Sequence, residues 1–266
     1  SDRFLRLAWW EQGEQRIINT DLPPDLCQGG VPLQREVLAE LVADLLIEQG
    51  ISSVSVELEL LLPLPICDWR LLEGAAGLGD ATSLRVLAPE MTWPLQWQES
   101  YVALTAMNER EMALVVGADR LILQAWIDTV ALADLNLCQA EWLLVAAWRA
   151  LHALNAPLEG EWVWLIESEG IWRLVVLCEG LPELDVGLKA TQLPTVRDEV
   201  LFLLDAWDQK QRQVGVRRSW WITAGPSWKG RWQEGHSAGL HGSLVSDGEM
   251  SLLQLALKAP PAESKP

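Results

Sequence analysis

The chain has 266 residues, of which half are hydrophobic, and a formal net charge of −17 at pH 7. This length allows a substantial core, in one large domain or in two lobes that share an interface. The negative charge argues against direct binding to nucleic acid or to an anionic lipid surface, because like charges repel. Charged residues interrupt every apolar run before it reaches the ~20 residues that span a bilayer, and we find no signal peptide. We therefore expect a soluble protein.

The N-terminal part predicts a hairpin, a helix and a strand. Residues 4–10 and 15–20 are strand-like and flank a short polar turn. Pro32 near the start and Gly50 past the end delimit an amphipathic helix. Residues 53–60 alternate apolar with polar side chains, which is typical of a strand with one face in water.

The middle of the chain predicts an irregular segment followed by strands and helices. Proline and glycine residues interrupt residues 61–99, where we expect loops and short strands. Residues 139–154 are apolar almost all round, so we expect a helix buried between layers. The other elements predicted here are strands at 83–87, 101–107 and 112–116, a helix at 119–132 and a short strand at 135–138.

The last part repeats the order of the first. Residues 161–170 and 171–180 form a second hairpin of alternating apolar strands. The elements predicted after it are a strand near 185–188, a helix at about 194–213, a strand at 219–224, a short helix with Trp228 and Trp232, a strand at 243–245 and a helix at 249–258. Residues 259–266 have the composition of a flexible linker.

The repeated order predicts two lobes. The first would comprise residues 1–118, with an irregular insertion at about 61–110. The second would comprise residues 119–258, of which 119–155 are linking helices.

Four cysteines lie far apart, each in an apolar setting, and no Cys-x-x-Cys pair or Cys/His cluster occurs. Closely spaced ligands are the signature of a structural zinc site, so we predict no metal. Buried, reduced thiols suit a bacterial cytoplasm. The four are Cys27, Cys67, Cys138 and Cys178.

The order of elements from residue 161 onward resembles the RNase H-like lobe of actin-like proteins. The run at 118–154 resembles the cytoplasmic platform proteins PilM and GspL of type IV pili and type II secretion, with Arg120, Trp126, the short strand at 135–138 and the apolar helix at 141–151 as the matching residues. The resemblance implies an α/β, actin-like (RNase H-like) two-lobed fold with mixed sheets flanked by helices.

The same resemblance implies a function. The chain would hold the short cytoplasmic N-terminus of a bitopic, PilN-like membrane partner and link it to the assembly ATPase. It would lie on the cytoplasmic side, peripheral to the inner membrane, and reach the membrane only through that partner.

The residues at the expected phosphate site depart from the actin-like pattern. Actin-like ATPases place Asp-x-Gly after the first strand of each lobe, where backbone amides hold phosphates and carboxylates hold the hydration shell of Mg²⁺. Here Trp9 and Trp10 precede the first turn and would fill the space that phosphates need. In the second lobe Glu167 stands nearest the expected Asp. Gly225 keeps the position of the family's glycine turn, but Pro226 offers no N–H donor.

We therefore predict no catalytic residue and no nucleotide or metal cofactor, with Glu167 and Gly225 as remnants of a nucleotide pocket. An ATPase or kinase of the same fold remains the alternative function. A scaffold of another α/β fold is a third interpretation.

Tryptophan is unusually frequent, with 16 Trp against one Tyr and two Phe. Most of these indoles are expected to fill the core. Some are expected to line a groove for a partner peptide, since Trp is enriched at binding hot spots. Trp93 and Trp97, in the irregular insertion, are the candidates. His152 ends an apolar helix and is interpreted as a C-terminal cap rather than as a catalytic base.

Overall fold

The computed structural model describes residues 2–73, 100–107, 112–155, 158–168, 170–212, 218–224, 242–244 and 251–258. The chain divides into two compact units, Ser1–Trp142 and Leu143–Pro266. The sequence predicts that the first lobe ends earlier, at residue 118. This division into lobes stays a prediction. Residues 119–142 belong to the first compact unit because their helix and strand pack against elements of that unit.

The described part of the first unit contains nine strands, which form small sheets. They are β1 (Phe4–Glu11), β2 (Glu14–Asp21), β3 (Cys27–Gln28), β4 (Val31–Pro32), β5 (Glu57–Leu62), β6 (Cys67–Glu73), β7 (Ser100–Met107), β8 (Met112–Asp119) and β9 (Asn136–Trp142). β1 and β2 form an antiparallel hairpin, as do the short β3 and β4. β5 and β9 pair in parallel, and β6, β8 and β7 form an antiparallel sheet in that order.

Two helices build the core of this unit, α1 (Arg35–Glu48) and α2 (Arg120–Leu132). Their buried faces carry small and branched apolar residues at helical spacing. These residues pack against apolar side chains of β1, β5 and β9. The cluster comprises Ala39, Val42, Leu46, Val130, Ala133 and Leu135, with Leu5, Leu7, Ile51, Leu58 and Leu137 partly buried against it.

The second unit is built around one mixed sheet. Its described elements are α3 (Leu143–Asn155), β10 (Glu161–Ser168), β11 (Ile171–Cys178), β12 (Leu181–Gly187), α4 (Leu193–Gln211), β13 (Arg218–Thr223), β14 (Gly242–Leu244) and α5 (Leu252–Ala256). The strand order is β12-β11-β10-β13-β14. β10 runs antiparallel to β11 and parallel to β13.

One face of this sheet packs against α4. The buried cluster joins Val196, Val200, Leu204 and Trp207 of α4 to side chains of three strands, Val163, Leu165, Trp172, Leu174, Val176, Trp220 and Ile222. Trp220 belongs to this cluster and its neighbour Trp221 does not, because consecutive strand residues point to opposite faces. On another part of the unit, α5 packs against α3 and contacts β10.

Most predicted elements are confirmed, and five differ. The last helix, predicted at 249–258, is the shorter α5, Leu252–Ala256. Residues 139–142 were predicted as helix, but they form the end of β9. Pairing with β5 holds them extended. The ring of Trp142 also contacts the ring of Trp69 edge-on, with 5.3 Å between the ring centroids. Residues 53–55 form a 3₁₀ turn, so β5 begins only at Glu57. Pro32 lies in β4, and α1 begins after it, at Arg35. The strand expected near 185–188 is β12, which begins at Leu181.

All four cysteines are free thiols, as predicted, but only Cys27 and Cys67 are buried. Burial raises the pKa of Cys67 to about 12. Cys138 is exposed, which corrects the prediction, because the alternation of β9 turns it to the outer face. The strand predicted at 83–87 and the helix predicted around Trp228 lie outside the described residues.

No helix in the described part of the chain is long and apolar enough to cross a membrane. Within the same residues, no group of three or more His, Cys, Asp or Glu side chains is placed to hold a metal ion.

Candidate functional site

The first hairpin turn, between β1 and β2, consists of two residues with left-handed backbone. Gln12 has φ +53° and Gly13 has φ +82°, while Glu11 lies opposite Glu14 in the ladder. This is the tight turn that matches the twist of a two-stranded ribbon. Arg16 of β2 forms ion pairs with Glu11 at 3.5 Å and with Glu14 at 3.3 Å, all in solvent. The turn therefore presents two acidic side chains that share one arginine and keeps a net negative charge.

The two indoles before this turn lie on opposite faces of β1, as neighbouring strand residues do. Trp9 is half-buried, whereas the side chain of Trp10 is 61% exposed. The exclusion of phosphates by these rings stays a prediction.

The second hairpin turn, between β10 and β11, is closed by its own carboxylate. The backbone N–H of Gly170 donates to Oε1 of Glu167 at 2.7 Å. Gly170 has φ +81°, a conformation that favours glycine. In the actin-like pattern the turn amides hold phosphate, but here the Gly170 amide is already engaged. An incoming phosphate would have to displace a charged acceptor and would meet its negative charge.

The carboxyl ends of the parallel strands β10 and β13 are the place where open α/β sheets bind ligands. Ile166 lies opposite Thr223 in this ladder, and both side chains are fully buried. The indole N–H of Trp164 donates to the Thr223 hydroxyl at 2.8 Å, and this indole is fully buried too. Side chains therefore fill the described part of this edge. Gly225, the other predicted remnant, lies outside the described residues.

The opposite end of the same strands is fastened by a buried ion cluster. Arg218, at the start of β13, donates through Nε to Glu161 of β10 and through Nη2 to Asp208 of α4; a second bond to Asp208 measures 3.2 Å. Burial by itself lowers the pKa of Arg218, but the hydrogen bonds that Arg218 donates to Asp208 and Glu161 outweigh it and leave the pKa raised. The guanidinium therefore stays charged and ties two strands to one helix.

His152 lies in the last turn of α3, as predicted, but its ring binds another element. Its Nε2 lies 2.9 Å from the carbonyl oxygen of Gly180, which also accepts the indole N–H of Trp148 at 2.9 Å. Burial lowers the pKa of His152, so the neutral ring donates from Nε2. The histidine therefore holds the turn between β11 and β12.

The predicted partner-binding residues, Trp93 and Trp97, lie outside the described residues. Several other tryptophans fill the core, as expected. Those with almost no exposed surface are Trp69, Trp142, Trp164, Trp172 and Trp220.

Sequence reasoning missed the bond from Gly170 to Glu167 and the Trp164–Thr223 pair. Thr223 was detectable as a polar residue in an apolar strand, since buried hydroxyl groups need a hydrogen-bond partner. It also missed Asp2, whose carboxylate oxygens accept the amides of Gly29 at 2.9 Å and Gly30 at 2.8 Å.

Comparison with solved structures places this geometry in a known fold. A structure of a PilM–PilN type IV pilus biogenesis complex matches with a TM-score of 0.67 and 14% identity, over 97% of this chain and 95% of that one. A Bacteroides thetaiotaomicron protein of unknown function with an actin-like ATPase fold matches with a TM-score of 0.59 and 9% identity, over 97% and 92%. This chain has the actin-like fold.

A third match of the actin-like chain is the cytoplasmic domain of EpsL, an inner-membrane component of the type II secretion system of Vibrio cholerae. Its TM-score is 0.51 and its identity 15%, over 97% of this chain and 89% of that one. No known family and no curated protein matches by sequence. The predicted fold class is therefore confirmed, and at these identities the likeness is one of fold.

Proposed function

We propose that this chain is a non-catalytic actin-like adaptor of the inner-membrane assembly platform of a type IV pilus or type II secretion system. The observation that carries the proposal is the match over nearly the whole of both chains to a structure of a PilM–PilN complex. A second match, the cytoplasmic domain of EpsL, comes from a type II secretion system. The adaptor binds the cytoplasmic N-terminus of a membrane-anchored, PilN-like partner and lies on the cytoplasmic side of the inner membrane.

The non-catalytic part of the proposal is supported by the second hairpin turn. Glu167 engages the amide of Gly170, and the adjacent strand ends are filled by buried Trp164, Ile166 and Thr223. A net charge of −17 opposes both a triphosphate and nucleic acid. In this proposal the assembly ATPase, as a second partner, supplies the energy.

Binding of the membrane partner is tested with a synthetic peptide. The probe is the cytoplasmic N-terminal segment of the PilN-like protein of the same organism, with a fluorophore, titrated with the full chain. A scrambled peptide is the control. We expect saturable binding of the native peptide only, and weaker binding when Trp93 and Trp97 are both replaced by alanine. Trp10→Ala is the matched variant, because Trp10 is an exposed tryptophan elsewhere. Equal behaviour of native and scrambled peptides would reject the adaptor function.

The alternative, an ATPase or kinase of the same fold, is favoured by the likeness to an actin-like ATPase fold. Thermal unfolding with and without millimolar Mg-ATP separates the two. A ligand present at a hundredfold excess over its Kd stabilises a protein by ~2.7 kcal/mol, which raises the melting temperature by several degrees. We expect no shift. A shift that Glu167→Ala increases would support the alternative and show that this carboxylate only weakens nucleotide binding.

A further inference from the structure

The outer face of α1 is an exposed surface of mixed character. Four acidic residues and three apolar residues share one side of the helix and the residues just before it. Leu33 is 53% exposed, Val37 45% and Ile47 73%. The four acidic residues, all exposed, are Glu36, Glu40, Asp44 and Glu48.

The spacing of these acids works against the helix. They follow one another at every fourth position, which makes three successive i,i+4 pairs of like charge, and such pairs destabilise a helix. Asp44 and Glu48 also lie near the C-terminal end, where the helix dipole favours cations, and no basic residue occupies the last turn. The stability of α1 therefore does not explain this pattern.

Three acidic residues on the other helices have partners, whereas the exposed Asp198 and Asp205 of α4 have none among the described residues. Asp128 of α2 binds Arg35 at 2.5 Å, Asp208 of α4 binds Arg218, and Glu199 of α4 accepts the amides of Lys189 and Ala190. By contrast, none of the four acids on the outer face of α1 makes an ion pair or hydrogen bond with any residue that the structure describes.

The arrangement along the helix defines what fits. Val37 and Ile47 are ten residues apart, so they lie ~15 Å apart along the axis. Glu40 and Asp44 lie between them on the same side. A complementary surface therefore has cationic groups in its middle and an apolar side chain near each end.

We propose that the outer face of α1 is a docking surface for a basic amphipathic helix of a protein partner. Charge complementarity selects this occupant, because an anionic membrane, a nucleic acid or a second copy of this chain would set negative charge against negative charge. The inference rests on the adaptor function proposed above, since it supplies a surface for one of the proteins that an adaptor joins.

The test uses the full chain and two synthetic probes of about 18 residues, enough for five helical turns. One is an amphipathic helix of leucine and lysine, and the other carries glutamate in place of lysine. Binding is measured by fluorescence anisotropy at low salt. We expect Glu40→Lys to weaken binding of the lysine probe about fivefold by charge reversal. We expect Val37→Ser with Ile47→Ser to weaken it about tenfold by loss of apolar contact.

A matched control lies on α4, where Asp198 is exposed beside Phe202, which is 71% exposed. Asp198→Lys makes the same change of charge next to an apolar side chain, and we expect less than a twofold effect. Glu40→Lys also creates favourable pairs with Glu36 and Asp44, so its melting temperature should not fall. Weaker binding by a variant of undiminished stability excludes unfolding as the cause.

Equal losses in Glu40→Lys and Asp198→Lys would reduce the binding to net charge and overturn the inference. So would binding of the glutamate probe as tightly as the lysine probe, or failure of the lysine probe to bind. None of these results affects the interpretation of the experiment with the PilN-like peptide. If that experiment succeeds and this one fails, only the docking surface is wrong.

Discussion

Replacement of Arg218 by methionine tests how the frame of the second unit is held. The Arg218 side chain is 7% exposed and lies between Glu161 and Asp208, which are 9% and 20% exposed. Methionine fills similar space without charge, so the substitution leaves two carboxylates with no cation between them. Breaking a buried ion pair by removing one partner costs ~3–5 kcal/mol, because the remaining charge is desolvated and uncompensated.

The assay is urea unfolding followed by far-ultraviolet circular dichroism. With a denaturant slope of ~2–3 kcal/mol per molar urea, a loss of that size lowers the midpoint by ~1–2.5 M. The triple variant Arg218→Met, Glu161→Gln, Asp208→Asn removes all three charges, and we expect it to recover most of the loss. Arg35→Met is the control, because its ion pair with Asp128 is 44% and 37% exposed and is worth no more than ~1 kcal/mol.

If Arg218→Met lowered the urea midpoint no more than Arg35→Met does, the reasoning would be refuted. It would mean that water reaches Glu161 and Asp208 and solvates their charges once the arginine is gone. A triple variant less stable than Arg218→Met would also contradict it, because the cost would then lie in lost hydrogen bonds rather than in uncompensated charge.

Three further predictions concern the second unit. Gly180→Ala should lower the free energy of unfolding in urea by ~2–3 kcal/mol, since φ is +80° and the new Cβ would lie 2.4 Å from Cε1 of His152. Adding His152→Ala to this variant removes the clash and should recover about 1 kcal/mol. Burial lowers the pKa of His152 below 6.5, so the unfolded state takes up the proton first as the pH falls. The contribution of the neutral His152 ring to stability is therefore present above pH 6.5 and is lost as pH falls through the folded pKa. His152→Gln should lack this dependence in thermal melts from pH 8 to 5. Thr223→Val leaves the buried indole N–H of Trp164 without its acceptor and should lower the free energy of unfolding in urea by ~1–3 kcal/mol. The double variant with Trp164→Phe should lose less than the sum of the losses of the two single variants.

Much of the second unit was predictable from local pattern. The strands at 161–168 and 171–178 show the alternation and the glycine turn that the sequence predicts. In α4 the apolar residues recur at helical spacing, and its observed span, Leu193–Gln211, agrees with the prediction to within two residues at each end. Such elements are predictable because the signal lies in neighbouring residues.

The errors occurred where distant contacts decide. Residues 139–142 (Gln, Ala, Glu and Trp) include good helix formers and lead into an apolar helix. They are nevertheless strand, because β5, about eighty residues earlier in the chain, pairs with them. The role of His152 could not be assigned either. A histidine near a helix end predicts a cap, whereas the glycine turn that it binds is supplied by a separate hairpin.

The candidate site shows the same limit. The sequence alone identified Glu167 as the residue nearest the expected Asp and so indicated a departure from the actin-like phosphate site. The burial of Thr223 against Trp164 depends on side-chain placement across neighbouring strands. The bond from the Gly170 amide to Glu167 joins residues only three apart, but it depends on the conformation of the turn.

The order of residues by itself determined the helices, the hairpins and the acidic character of this protein, because hydrophobic period, turn residues and charge are local properties. Tertiary structure alone decided that β13 lies between β10 and β14, that β9 lies beside β5, and that Arg218 meets two carboxylates. Strand pairing and buried ion clusters join residues far apart in the chain, and their energies depend on packing and desolvation, which no local pattern contains.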